Sequence, residues 1–210
     1  EIVCGFPPRS AAEYYRNPER ALLSWDFEDP LPDYARASLW MHYLFEQIGY
    51  THIPELVQSG ETGIADIRKI LTATGSPNFS SMFHNWSLAL HLNNRDLSPA
   101  YGYKHPLRHS LSGSDVIQVV RLPDFSTINL SSLSFQSVSI PLARDLFIEA
   151  ERGNTGIKTT VIREKMAEPS QIIDTHSLQG TQKYTNPETH GSFRLIFTNP
   201  TIQTSVNDST

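Results

Sequence analysis

The sequence predicts an α+β protein, with an N-terminal α-helical subdomain followed by a small antiparallel β-sandwich-like domain, on three observations. Apolar residues recur three and four apart through the first half and at shorter, partly alternating spacing through the second. All three tryptophans, Trp25, Trp40 and Trp86, fall in the first hundred residues, whereas 25 of the 39 serines and threonines fall in the last hundred. Between the halves, Asn93 to Asp115 concentrates turn formers such as Asn93-Asn94, Ser98-Pro99, His105-Pro106 and Ser112-Gly113-Ser114. The expected organisation is a helical subdomain over 1–95, a linker over 96–114, a β domain over 115–200 and a polar tail over 201–210.

Each element has its own local reason. Ser10 to Leu23 offers a helix around Tyr14 and Tyr15, interrupted at Asn17-Pro18. Pro32-Asp33 precedes a run in which Leu39, Trp40, Tyr43, Leu44 and Ile48 share one broad face, and Gly49 follows as a C′ residue, giving a helix of about four turns. Pro54 suits the first turn of a short helix through Val57. Thr62 is placed to cap a helix carrying Ile64, Ile67, Ile70 and Leu71, which stops at Gly75. Phe79, Met82, Phe83, Trp86, Ala89 and Leu90 then form an amphipathic stripe, expected to be ordinary core. In the second half, Val116–Val120, Thr127–Leu130, Leu133–Ile140, Ala143–Ala150, Thr159–Arg163 and Ser192–Thr198 read as strands. Arg152 to Gly156 reads as a hairpin loop between two of them, while residues 165 to 190 carry no clear period.

Composition narrows the function classes. A chain of 210 residues with 39% apolar content has enough material for a packed core. Its lone Cys4 excludes an internal disulfide and a multi-cysteine zinc site, and the absence of any signature around it argues against a catalytic thiol. A net charge of −5 without a dense Lys/Arg cluster gives no nucleic-acid surface. No apolar run approaches the roughly 20 residues of a transmembrane segment, and Glu1 to Arg9 carries no signal-peptide core. A start at Glu-Ile-Val-Cys, without an initiator methionine, reads as a processed or partial product.

No Gly-x-Ser-x-Gly, glycine-rich phosphate loop or dinucleotide fingerprint occurs. Four Asn-x-Ser sequons stand at Asn78, Asn85, Asn129 and Asn207; the first two are taken to lie inside the helix predicted to bury Phe79 and Trp86, which argues against glycan there. Eight histidines raise the question of metal. His42 and Glu46, four apart on one predicted helix, share a face. His105 and His109 have the same spacing, but Pro106 interrupts a helix across them. His-Glu-x-x-His, the two-histidine helix of zinc peptidases, is absent from these 210 residues. The expectation for this chain alone is therefore neither proteolysis nor stoichiometric zinc.

From Tyr34 onward a family pattern appears. Tyr34-Ala-Arg-Ala-Ser-Leu-Trp-Met-His-Tyr-Leu-Phe-Glu-Gln-Ile-Gly49, Leu56-Val-Gln-Ser59, Thr62-Gly-Ile-Ala-Asp-Ile67 and Phe79-Ser-Ser-Met-Phe-His-Asn-Trp-Ser-Leu-Ala-Leu90 come in order. Together they resemble the helical region downstream of the zinc motif in hyicolysin-type secreted metallopeptidases. The resemblance implies a gluzincin-like peptidase whose zinc is held by two histidines and a downstream Glu, all preceding Glu1, in a secreted or surface-exposed bacterial protein. It also implies a role for Tyr34. In related aminopeptidases a Tyr-x-Lys-Gly-Ala pattern opens the corresponding helix, and its hydroxyl stabilises the oxyanion. Here Tyr34-Ala35-Arg36-Ala37-Ser38 has Arg for Lys, Ala for Gly and Ser for Ala. Packing at a helix entrance is the other role open to Tyr34.

Two function classes follow. The first is the C-terminal part of a zinc metallopeptidase acting on protein or peptide substrates, itself without zinc ligands. The second is a cell-surface binding protein that recognises a protein or glycan. Solvent-exposed aromatics on the β half would favour the second, but Phe125, Phe135, Phe147, Phe193 and Phe197 sit in apolar segments and are expected to be core.

Overall fold

A computed structural model describes Tyr14 and residues 20–60, 63–104, 117–119, 128, 130–141, 145–149, 156–164, 171–177, 181–185 and 192–201. The protein is α+β and divides into two compact units, Glu1–Gln118 and Val119–Thr210. No described helix is long and apolar enough to cross a membrane.

In the first unit, helix α1 spans Leu31–Ile48, so Pro32 lies inside its first turn, where a missing N–H costs nothing. Of the predicted face, Leu39, Trp40, Tyr43 and Leu44 are buried and Ile48 is half-buried, and Ala35 is buried with them. Gly49 ends it at φ 102°, a conformation closed to most side chains, and donates its N–H to the Phe45 carbonyl at 2.8 Å. A 3₁₀ turn over Tyr50–His52 leads into α2, Ile53–Gln58, with Pro54 in its first turn. Helix α3, Ile64–Ala73, buries Ile67, Ile70 and Leu71. Its N-cap position is held by Gly63, and the expected cap, Thr62, lies outside the described residues.

Helix α4, Phe79–Leu92, is capped by Asn78, whose side-chain oxygen accepts the Ser81 N–H at 2.9 Å. Asn78 is therefore an exposed cap outside the helix, which corrects the argument that both early sequons lie within it. Trp40 of α1 meets Phe79, Phe83 and Trp86 of α4 with ring centroids 5.8, 6.1 and 5.3 Å apart, so these aromatics are core. Tyr14 is helical, buried, and stacked on Trp86 at 6.2 Å; residues 10–13 and 15–19 of its predicted helix lie outside the described residues, and residues 20–23, expected to continue it, form a bend and turn instead.

The turn-rich segment after α4 is packed rather than free. Trp86 donates its indole N–H to the Tyr103 hydroxyl at 2.8 Å, and that hydroxyl donates to the Leu39 carbonyl at 3.2 Å. Tyr43 donates to the Ala100 carbonyl at 2.9 Å, and the Lys104 N–H reaches Glu46 Oε2 at 2.6 Å. Residues 96–104, expected in a linker on composition, thus belong to the helical unit. Their polar groups bind α1 and α4 as turn formers do when a loop folds back on its own helices.

The strands lie in the second unit, except that the first, Ile117–Val119, straddles the division between the units, and the pairings among the later strands are antiparallel. Strands β1 (Ile117–Val119), β2 (Ser134–Ile140), β4 (Lys158–Glu164), β5 (Gln171–Ser177) and β7 (Ser192–Asn199) form one sheet in the order β1-β2-β7-β4-β5. Strands β3 (Asp145–Glu149) and β6 (Thr181–Thr185) form a two-stranded ribbon. Val138, Ile140, Val161, Phe193, Leu195 and Phe197 from the sheet and Leu146 and Ile148 from the ribbon make one core, with Ile128, Leu130 and Tyr184 packed against it. Ile128 and Leu130 serve that core without lying in a strand, contrary to the strand expected over 127–130.

The expected hairpin loop at Arg152–Gly156 lies, but for Gly156, outside the described residues; the strands on either side, β3 and β4, belong to different sheets, and β4 pairs with β5. The stretch 165–190, which has no clear period, contains β5 and β6. Phe147 is also not core: it is 63% exposed on the ribbon, with the Lys183 ammonium 5.4 Å from its ring centre. Phe135, Phe193 and Phe197 are buried, and Phe125 lies outside the described residues.

Candidate functional site

The chemistry of the helical unit gathers first at the entrance of α1. Asp26 Oδ1 accepts the N–H groups of Glu28 and Asp29 at 2.9 and 3.3 Å, an Asx turn that holds its carboxyl below the ordinary carboxylate range. The loop closes onto Asp33, which is fully buried. Asp33 Oδ2 accepts the Asp26 N–H at 2.6 Å and lies 3.5 Å from Arg20 Nη1, while its Oδ1 lies 2.8 Å from Arg36 Nη1. Arg36, equally buried, also donates to the Ser24 carbonyl. Burial lowers the pKa of Arg36, and the facing Asp33 carboxylate opposes that shift.

Tyr34 faces the other way. It is 62% exposed between the buried Asp33 and Ala35, and its ring meets Trp25 edge to face, centroids 4.8 Å apart and planes at 86°. A helical first turn separates the two directions, since residues i and i+3 share a face that i+1 leaves. The result is a solvent-facing phenol on a backbone fixed by a buried ion pair. Leu23, Phe27 and Leu31 are exposed in the same stretch.

The second place is the set of buried polar residues on α1, α3 and α4. His42 and Glu46 are both buried, as are Asp66, His84 and His91. Glu46 spends a carboxylate oxygen on the Lys104 N–H, a structural task that holds the 96–104 segment to α1. Among the described residues no group of three or more His, Cys, Asp or Glu side chains is arranged to hold a metal ion. His42 and Glu46 alone supply two donors where zinc takes three or four from protein. The described residues therefore do not fit zinc, and no chemical step is routed through a metal on this chain. His105, His109 and Cys4 lie outside the described residues.

Reading the sequence singles out Tyr34 without Trp25, Asp33 and Arg36, which the structure places around it. Opposite charges three apart at a helix start were the available signal. The loop pairing, which spans 12 residues from Ser24 to Arg36, left no trace in local spacing. Comparison of the chain with protein-family models, with curated proteins and with solved structures finds no match.

Proposed function

We propose that this chain forms the helical lobe and an appended β domain of a secreted or surface zinc metallopeptidase, with the zinc ligands supplied by residues outside these 210. The observation that supports it is Tyr34: a phenol left 62% exposed in the first turn of α1, at the place the family resemblance assigns to an oxyanion donor. Its hydroxyl would donate a hydrogen bond to the carbonyl oxygen of the scissile peptide as negative charge develops there. Positioning and donation are the whole of this chain's part; it supplies neither the nucleophile nor the general base.

The test begins with the reading frame that encodes the chain, which is expected to contain His-Glu-x-x-His followed by a further Glu. The purified product should hold one zinc per chain and cleave casein, with activity lost to a chelator. Tyr34→Phe should lower kcat by roughly 10²–10³, the usual loss for one oxyanion donor. Thermal stability should stay unchanged, because the hydroxyl removed is solvated. A frame without the motif, or a product without zinc, sinks the peptidase reading.

One observation favours a second reading, a non-catalytic surface binding protein. Phe147 stands exposed on the β3–β6 ribbon beside Lys183, which itself lies 3.4 Å from Asp145. An exposed aromatic with adjacent charges can contact a protein or glycan. If that reading holds, Phe147→Ala abolishes binding to the cell surface while the fold persists, and unchanged binding removes Phe147 from it.

A further inference from the structure

The exposed ring of Tyr34 is anchored by groups that never touch solvent. Asp33 precedes it and Arg36 follows two residues later, both essentially inaccessible and 2.8 Å apart. Each reaches the same short loop from a different side: Asp33 through the Asp26 N–H at 2.6 Å, Arg36 through the Ser24 carbonyl. Trp25 is the residue between those two attachment points, and its ring is the one that meets Tyr34 at 4.8 Å. A backbone held on both sides of one residue leaves that side chain few directions.

We propose that Asp33 is a positioning residue for Tyr34: through Arg36 and the backbone of Ser24 and Asp26 it fixes the loop that sets the Trp25 indole against the Tyr34 ring and so aims the phenol. The proposal rests on the role given to Tyr34 above for its catalytic consequence, but not for its structural one. Asp33 touches no substrate; it acts through the loop. A purely structural Asp33 would stabilise the helix start without governing the Trp25–Tyr34 contact. Buried pairs are a poor source of net stability compared with apolar replacements, so a clamp of two charges and two loop attachments is better explained by the geometry it imposes.

The contact itself is the readout. In the 210-residue chain, nuclear Overhauser cross-peaks between the Trp25 indole and the Tyr34 ring are expected, with the indole signals assigned by their loss in Trp25→Phe. Asp33→Asn should remove those cross-peaks while the Trp40–Phe83 cross-peaks of the helical core persist. Should Asp33→Asn fail to fold, because it strands the Arg36 charge, Asp33→Asn/Arg36→Met removes both charges and carries the same expectation. Trp25–Tyr34 cross-peaks of undiminished intensity in either folded variant overturn the proposal. In the zinc-loaded full-length enzyme, the folded variant should lose the same factor in kcat as Tyr34→Phe, with KM unchanged. Adding Tyr34→Phe to it should then cost nothing more. A Tyr34→Phe enzyme with normal kcat refutes the catalytic role of Tyr34 alone, and the cross-peaks then decide the positioning claim by themselves.

Discussion

A single hydroxyl, that of Tyr103, joins three parts of the helical unit: it accepts from Trp86 on α4, donates to the Leu39 carbonyl on α1, and itself belongs to the segment after α4. All of this is buried, so removing the oxygen leaves an indole N–H and a carbonyl without water to replace it. Tyr103→Phe should cost about 1–3 kcal/mol, the usual penalty for orphaned buried groups, read as a lower denaturant midpoint by tryptophan fluorescence. Tyr43 beside it has its pKa raised, chiefly by burial and then by Tyr101, which keeps its hydroxyl protonated to donate to the Ala100 carbonyl at neutral pH. At this scale the sequence shows which residues are candidates but seldom what they bind. Tyr34 is picked out in the sequence only by a resemblance, while Asp33 looks like an ordinary helix-start acid. Only the folded loop turns it inward, because its partners at Asp26 and Ser24 are chosen by tertiary closure rather than by spacing.

Elements were most legible where one face alone meets the core. Helices α1, α3 and α4 follow their apolar stripes, and Gly49 and Gly75 mark ends because positive φ excludes most other residues. Strands β5 and β6 were illegible for a physical reason: β6 alternates only between exposed and half-buried positions, and β5 lies at an edge of its sheet. The central strand β7 fails to alternate for the opposite reason, since Phe193, Leu195, Ile196, Phe197 and Thr198 bury side chains on both faces. The loop after α4 is itself an element with a sharp requirement. A Cβ on Gly102 would lie 3.0 Å from Arg95 Cγ, the Asn93 carbonyl carbon and the Asn94 nitrogen, two of which are backbone and cannot swing aside. Gly102→Ala should therefore destabilise the unit by about 1–3 kcal/mol through overpacking. Asn94→Ala, which keeps that backbone, should cost less; equal melting temperatures for wild type and Gly102→Ala would refute the close approach.

On the scale of the whole chain, the two units keep separate cores and separate reporters, since every tryptophan lies in the first. Phe193 is fully buried in the second core, and Phe193→Ala should cost about 3–5 kcal/mol there. The expected result is a lower midpoint for the β-sheet circular dichroism with an unmoved tryptophan midpoint; a joint shift would show that the units unfold as one. The α+β class and the helical-then-β order were readable from the change of hydrophobic period, whereas the strand order was not, because it pairs segments far apart in sequence. That order has a consequence for synthesis. Strand β7, the last of the described strands, lies between β2 and β4 and pairs with both. While the ribosome is still making residues 192–199, β2 and β4 have no neighbour on their inner edges, although the whole of the helical unit precedes them in the chain. The five-stranded sheet must then wait as two open-edged pieces, the state in which strands join the wrong chain, so a chaperone that shields unpaired edges should raise the yield of the β half while leaving that of the helical unit unchanged.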